Sequence, residues 1–109
     1  MLENLLGSIN KERVLIFLFC RKNGYAKEIA VFFDVPVTPI LNQLNNLESS
    51  NILVSEQKGR TRLYQLNPRY SFINELNLLL EKALNFYPDD LRDLLQNNRR
   101  RPRKKGKEI

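Results

Sequence analysis

Residues 9–22 carry apolar side chains around most of a helical circumference, and no other feature restricts the possible folds as much. At 100° per residue, Ile9, Val14, Leu15, Phe17, Leu18, Phe19 and Cys20 leave only a narrow polar side. Such a helix is stable in water only when other elements wrap it on several sides, so the spacing predicts a central helix. Ser8 stands where an N-cap is expected, and Asn23 and Gly24 are expected to end the helix, with Gly24 taking the left-handed cap conformation. Cys20 belongs to the apolar set and is expected to act as a small buried hydrophobe.

The wrapping elements follow in order. A short helix is expected over 26–33, burying Ile29, Ala30 and Phe33, with Asp34 in a tight turn where positive φ is tolerated. A third helix is expected over 37–50, with Pro39 allowed because it lies in the first turn. On this helix Ile40, Leu44 and Leu47 share one side, Thr38, Asn42, Asn45 and Asn46 the other, and Gln43 a flank. Each Asn costs a few tenths of a kcal/mol in helix propensity relative to Lys or Glu. Amide side chains can pair with the N6/N7 edge of adenine in a major groove, which gives such a face a use. The alternative is a merely polar surface.

After Asn51 the period shortens. Ile52, Leu53 and Val54 lead to a tip at Lys58, Gly59 and Arg60, and residues 60–66 alternate with Tyr64 and Leu66 on one face. This predicts a β-hairpin, ended by Asn67 and Pro68. A strongly apolar helix is expected over 71–87, carrying Phe72, Ile73, Leu76, Leu79, Leu80, Ala83, Leu84 and Tyr87, and a short one over 89–96. Polar and basic residues with Pro102 and Gly106 then predict a disordered tail. The expected organisation is one folded unit over 1–70, terminal helices over 71–97 that cover the core or dimerise, and a basic tail over 98–109.

Composition excludes whole classes of chemistry. The chain of 109 residues has no His and one Cys, so common zinc sites, Ser-His and Cys-His nucleophiles and an internal disulfide cannot be assembled. No carboxylate pair or activated nucleophile can be assigned, and neither a catalytic role nor a cofactor is expected. The apolar run from Val14 to Cys20 is too short for a membrane span, and Lys11, Glu12 and Arg13 before it do not resemble a secretory leader. A cytoplasmic, nucleoid-associated protein is expected.

The net charge of +6 is unevenly placed. Arg99, Arg100, Arg101, Arg103, Lys104, Lys105 and Lys107 against Glu108 give the tail +6, so the remainder is neutral. Within that remainder Lys58, Arg60, Arg62 and Arg69 fall in an acid-free stretch, giving a local +4. Basic clusters attract phosphate polymers, acidic proteins or membrane surfaces, or serve only for solubility.

A helix, a short helix, a tight turn, an amide-faced helix and a hairpin with a basic tip resemble a winged helix-turn-helix. Lys27, Glu28, Ile29 and Ala30, then Val35, Ile40, Leu44, Leu47 and residues 51–54 carry that resemblance. Residues 59–68, reading GRTRLYQLNP, are similar to the wing of arsenical-repressor-like (ArsR-like) regulators. Leu6, Gly7 and Ser8 are similar to the opening of winged-helix regulators associated with nucleotidyltransferase domains. The resemblance implies a mainly α fold with a small β-hairpin wing, in which 1–70 is the DNA-binding unit of a sequence-specific transcriptional regulator. It implies base reading by Thr38, Asn42, Gln43, Asn45 and Asn46 in the major groove of double-stranded DNA. Lys58, Arg60 and Arg62 would contact backbone or minor groove, with the tail cations on phosphates. A homodimer is implied, and no metal, because the ligand set of the metal-sensing members is missing. The competing expectation is a protein-interaction module on the same scaffold.

Overall fold

The computed structural model describes residues 1–97. Nine elements follow one another: α1 (Glu3–Leu6), α2 (Ile9–Arg21), β1 (Gly24–Tyr25), α3 (Ala26–Phe33), α4 (Val37–Ser49), β2 (Leu53–Lys58), β3 (Thr61–Leu66), α5 (Ile73–Leu84) and α6 (Asp89–Asn97). The architecture is mainly helical with a small antiparallel sheet. Helices α3 and α4 form the helix-turn-helix, and β2 and β3 form the wing.

Helix α2 is the centre, as its all-round apolar pattern requires. Val14, Leu15, Ile16, Phe17 and Leu18 are buried in succession, and α1, α3, α4, α5 and α6 all pack against this helix. Leu80 and Leu84 of α5 and Leu95 of α6 join the same cluster as Ile29, Ile40, Leu44, Leu47, Leu53 and Tyr64, so the terminal helices share one core with the winged helix. Arg21 secures α6: its Nε donates to the Leu95 carbonyl and its Nη2 to that of Leu94, both at 3.0 Å. The same guanidinium lies over the rings of Phe17 and Phe32, 4.8 and 5.1 Å from their centroids.

The ends of α2 are set by different devices from each other. Ser8 is the N-cap, its Oγ accepting from the Lys11 N–H at 3.2 Å. At the other end the residue at positive φ is Lys22, at φ 77° and ψ −36°, and not Gly24 as expected. Gly24 instead opens β1 and pairs with Tyr64 of β3. Its missing side chain serves close approach, because a Cβ there would stand 2.7 Å from Cε1 of Phe17.

The sheet order is β1-β3-β2, and β2 and β3 pair from Leu53 with Leu66 to Lys58 with Thr61. Between them Gly59 has φ 61° and Arg60 stays at negative φ, the pattern of a type II′ turn, whose twist suits a two-residue hairpin. Asp34 takes the left-handed conformation at φ 57°, ψ 51°, and its N–H caps α3, so a non-glycine residue makes the tight turn before α4.

Two expectations shift at the chain's ends. A four-residue α1, capped by Gly7 at φ 88°, forms where no element was anticipated. The helix expected over 71–87 is shorter, since Phe72 and Asn85 are its caps. Phe72, placed in the apolar set of that helix, is 62% exposed.

Candidate nucleic-acid interface

Helix α4 is amphipathic as its spacing predicts. Ile40, Leu44 and Leu47 are buried, whereas Thr38, Asn42, Asn45 and Asn46 are exposed. Its N-terminus follows Pro36 at φ −61°, ψ 150°, and its first turn holds no acidic residue to offset the positive end of the helix dipole. Pro39 sits in that turn, where its missing N–H takes nothing from the helix.

The polar residues of this helix are not equivalent. The Asn42 side chain makes no hydrogen bond to protein among the described residues, whereas Asn45 accepts through Oδ1 from the Tyr64 hydroxyl at 3.4 Å. Asn46 stands at the edge of the face and lines a groove with Tyr70 and Phe72. Gln43 is turned inward: its Oε1 is buried without a partner, which separates it from the exposed amides. Leu41 and Val37, 39% and 42% exposed, add apolar surface beside the amides. Sequence spacing alone does not single them out, because both lie between the buried and exposed faces.

The wing is braced against this helix. Tyr64, on β3, is buried and reaches Asn45, while Ser55, its partner across the ladder, donates through Oγ to Glu48 Oε2 at 2.5 Å. Burial first and the Glu48 charge second push the Tyr64 hydroxyl above the ordinary tyrosine range, so it remains a proton donor. The positional roles of Tyr64, Ser55 and Glu48 are not visible in hydropathy, since each depends on the register between the strands.

Strand alternation sorts the wing cations. Arg62 pairs with Gln57, two residues along from Tyr64 and Ser55, and therefore lies on the sheet face that meets α4. Lys58 belongs to the opposite face, where its Nζ is 3.2 Å from Glu56 Oε2. Arg60 is exposed in the turn, and neither Arg60 nor Arg62 forms an ion pair among the described residues. The expected wing cluster of three cations is thus divided: Arg62 on the α4 side, Arg60 at the tip, Lys58 beside an acid.

Arg99, Arg100, Arg101, Arg103, Lys104, Lys105 and Lys107 lie outside the described residues. Among the described residues no group of three His, Cys, Asp or Glu side chains is placed to hold a metal ion, and no helix is long and apolar enough to cross a membrane. Cys20 is half-buried, and that burial pushes its thiol above the usual range despite Arg21 and Lys22 nearby.

No protein-family model matches the chain, and no curated protein matches it. Among solved structures the chain is similar to a mutant of ZitR from Lactococcus lactis in apo form, at 16% identity and a TM-score of 0.48 over 87% of this chain and 78% of that one.

Proposed function

We propose that this chain is a sequence-specific, double-stranded-DNA-binding transcriptional regulator. The observation that carries the reading is the exposed amide face of α4, buttressed by the wing through Tyr64–Asn45 and Ser55–Glu48, with Arg62 on the same side of the sheet. Amides on a rigid helix suit base edges, and guanidinium groups on a hairpin suit phosphates or a narrow minor groove.

Labour would be divided between two kinds of contact. Asn42 and Asn45, with Thr38 beside them, discriminate bases in the major groove, and Asn45, whose oxygen accepts from Tyr64, keeps its NH2 donors for a base edge. Asn46 sits at the margin of that contact. Gln43 contributes only if its side chain turns outward, because its oxygen is buried in the free protein. Arg60 and Arg62 supply salt-dependent affinity, Lys58 less because of Glu56, and the tail cations add phosphate contacts. The arsenical-repressor-like grouping rests on the wing sequence over 59–68.

Selection of bound duplexes from a random-sequence library tests the reading. Enrichment of one motif, lost on Asn42→Ala, is the expected result. Recovery of unselected sequence, or of none, would remove it.

The competing reading, a protein-interaction module, draws on the exposed Leu78 of α5 and on the exposed Phe72 and Phe86 that flank this helix. It predicts that partner binding survives loss of Arg60 and Arg62.

A further inference from the structure

Helix α4 carries no cation. The stretch between Lys27 and Lys58 contains neither Lys nor Arg, so this helix lacks the side chains that most often pair with O6 and N7 of guanine. Its one charged residue is Glu48, near its C-terminal end. The Glu48 carboxylate already accepts from Ser55 Oγ, which ties it to the wing and away from the amino group of a cytosine.

The helix instead presents aliphatic side chains next to amides. Val37, Leu41 and Asn45 follow one another at intervals of four residues, with Thr38 and Asn42 beside them, and all five are exposed. At 100° per residue the order across the face is Val37, Leu41, Asn45, Thr38, Asn42, within an arc of about 140°. The buried side of α4 belongs to Ile40, Leu44 and Leu47, so Val37 and Leu41 are not the residues that seal the helix onto the core. A single exposed Leu on a protein surface is ordinary. Here two aliphatic side chains border an uncharged polar stripe in the first two turns, the part of a recognition helix that meets base edges.

In the major groove an A·T pair shows two features side by side. The N6/N7 edge of adenine takes an amide, and the C5 methyl of thymine takes an apolar side chain. A G·C pair shows no methyl there, and its guanine favours a cation. The pairing of aliphatic and amide side chains on α4 therefore matches A·T pairs in both halves and G·C pairs in neither.

We propose that Leu41, with Val37 one turn before it, reads thymine C5 methyl groups while Asn42 and Asn45 read adenine, so that α4 recognises a run of A·T pairs. This rests on the regulator reading and names the DNA that α4 selects. The methyl contact displaces no counterion, so its worth does not change with salt, unlike that of the wing arginines.

Methyl deletion tests the assignment, with the full chain and a duplex selected from a random-sequence library. Each thymine of the selected site is replaced in turn by deoxyuridine, which removes the methyl and keeps the hydrogen-bonding edge. At one position at least, the replacement is expected to weaken wild type about fourfold, the worth of one buried methyl, at low and high salt alike. Leu41→Ala and Leu41→Gln, with their folds checked by circular dichroism, are each expected to bind the two duplexes equally. Leu41→Met is expected to keep the preference. A selected site with G·C pairs at the positions that depend on Asn42 overturns the proposal and leaves the regulator reading standing. So does indifference of wild type to every deoxyuridine, or a methyl preference undiminished in the folded Leu41 variants that lack an apolar end. Selection that enriches no motif removes the regulator reading, and this assignment with it.

Discussion

The hydroxyl of Tyr64 lies 3.4 Å from Oδ1 of Asn45, linking the wing strand β3 to the exposed side of α4. Tyr64 is buried, so the wing reaches the helix from beneath its polar face and holds it without covering it. The contact is longer than a typical O–H···O bond, whereas the Ser55–Glu48 contact, at 2.5 Å to an acidic side chain, is short. Tyr64→Phe should therefore cost only about 0.5 kcal/mol of stability and Ser55→Ala about 1–2 kcal/mol. Urea unfolding of both variants measures the order. In DNA selection, Tyr64→Phe should broaden the preference at the position read by Asn45, because the amide would no longer be held through its oxygen.

The wing cations should separate in salt titrations. Arg62→Ala and Arg60→Ala should each lower the dependence of log affinity on log salt by about one ion, on specific and random DNA alike. Lys58→Ala should change it less, since Glu56 already neutralises that ammonium. Equal slopes for all three variants would contradict the division of the wing into two faces.

Gly24→Ala should be the costlier of two glycine substitutions. Its Cβ would stand 2.7 Å from the Phe17 ring, which is fixed by the Phe32 ring at 5.6 Å and by Arg21 at 4.8 Å, so the clash should cost about 1–3 kcal/mol. Gly59→Ala has open space around it and only the strain of φ 61°, about 1 kcal/mol. Denaturant midpoints of the two variants give the comparison.

Much of this architecture was legible because hydrophobic period and turn chemistry act locally. The five consecutive buried residues of α2 follow from an apolar pattern that leaves only a narrow polar side, and Asp34 in the left-handed turn follows from its side-chain type. Gly24 serves a close approach and not the cap expected of it: both roles favour glycine, and only the position of Phe17 distinguishes them. The exposure of Asn42 followed from α4's spacing, while the inward turn of Gln43 and the pairing of Lys58 with Glu56 arise from rotamers and strand register, which spacing does not encode. Glu12 lies in the polar first turns of α2 beside Asn10, Lys11 and Arg13, yet it is buried as the acceptor for Leu2 and for Tyr87, 75 positions away, a partnership that helical spacing does not encode.

Tyr87→Phe should show what that acceptor contributes. The Tyr87 hydroxyl donates to Glu12 Oε2 at 2.6 Å, and the remaining oxygen accepts from the Leu2 N–H at 2.8 Å with the Met1 ammonium 3.4 Å away. Loss of the hydroxyl leaves one buried carboxylate oxygen without its donor and should cost about 1–3 kcal/mol. Burial, then the bond to Glu12, pushes the Tyr87 hydroxyl far above the ordinary tyrosine value of 10.0. Above that pH the unfolded chain loses this proton and the folded chain keeps it, so the unfolded state binds fewer protons and stability falls as pH rises. The fall should be shallower in Tyr87→Phe when urea stability is measured from pH 9 to 11 (about one unit either side of the ordinary value).

The most direct measurement of the central claim is the affinity ratio between a selected duplex and random DNA, for wild type and for Asn42→Ala, at one fixed salt concentration. The account predicts that wild type prefers its site by at least about a thousandfold, and that Asn42→Ala gives up about 1–3 kcal/mol of that preference while its random-DNA affinity is unchanged. Equal losses on both DNAs, or no preference in the wild type, would contradict base reading by α4.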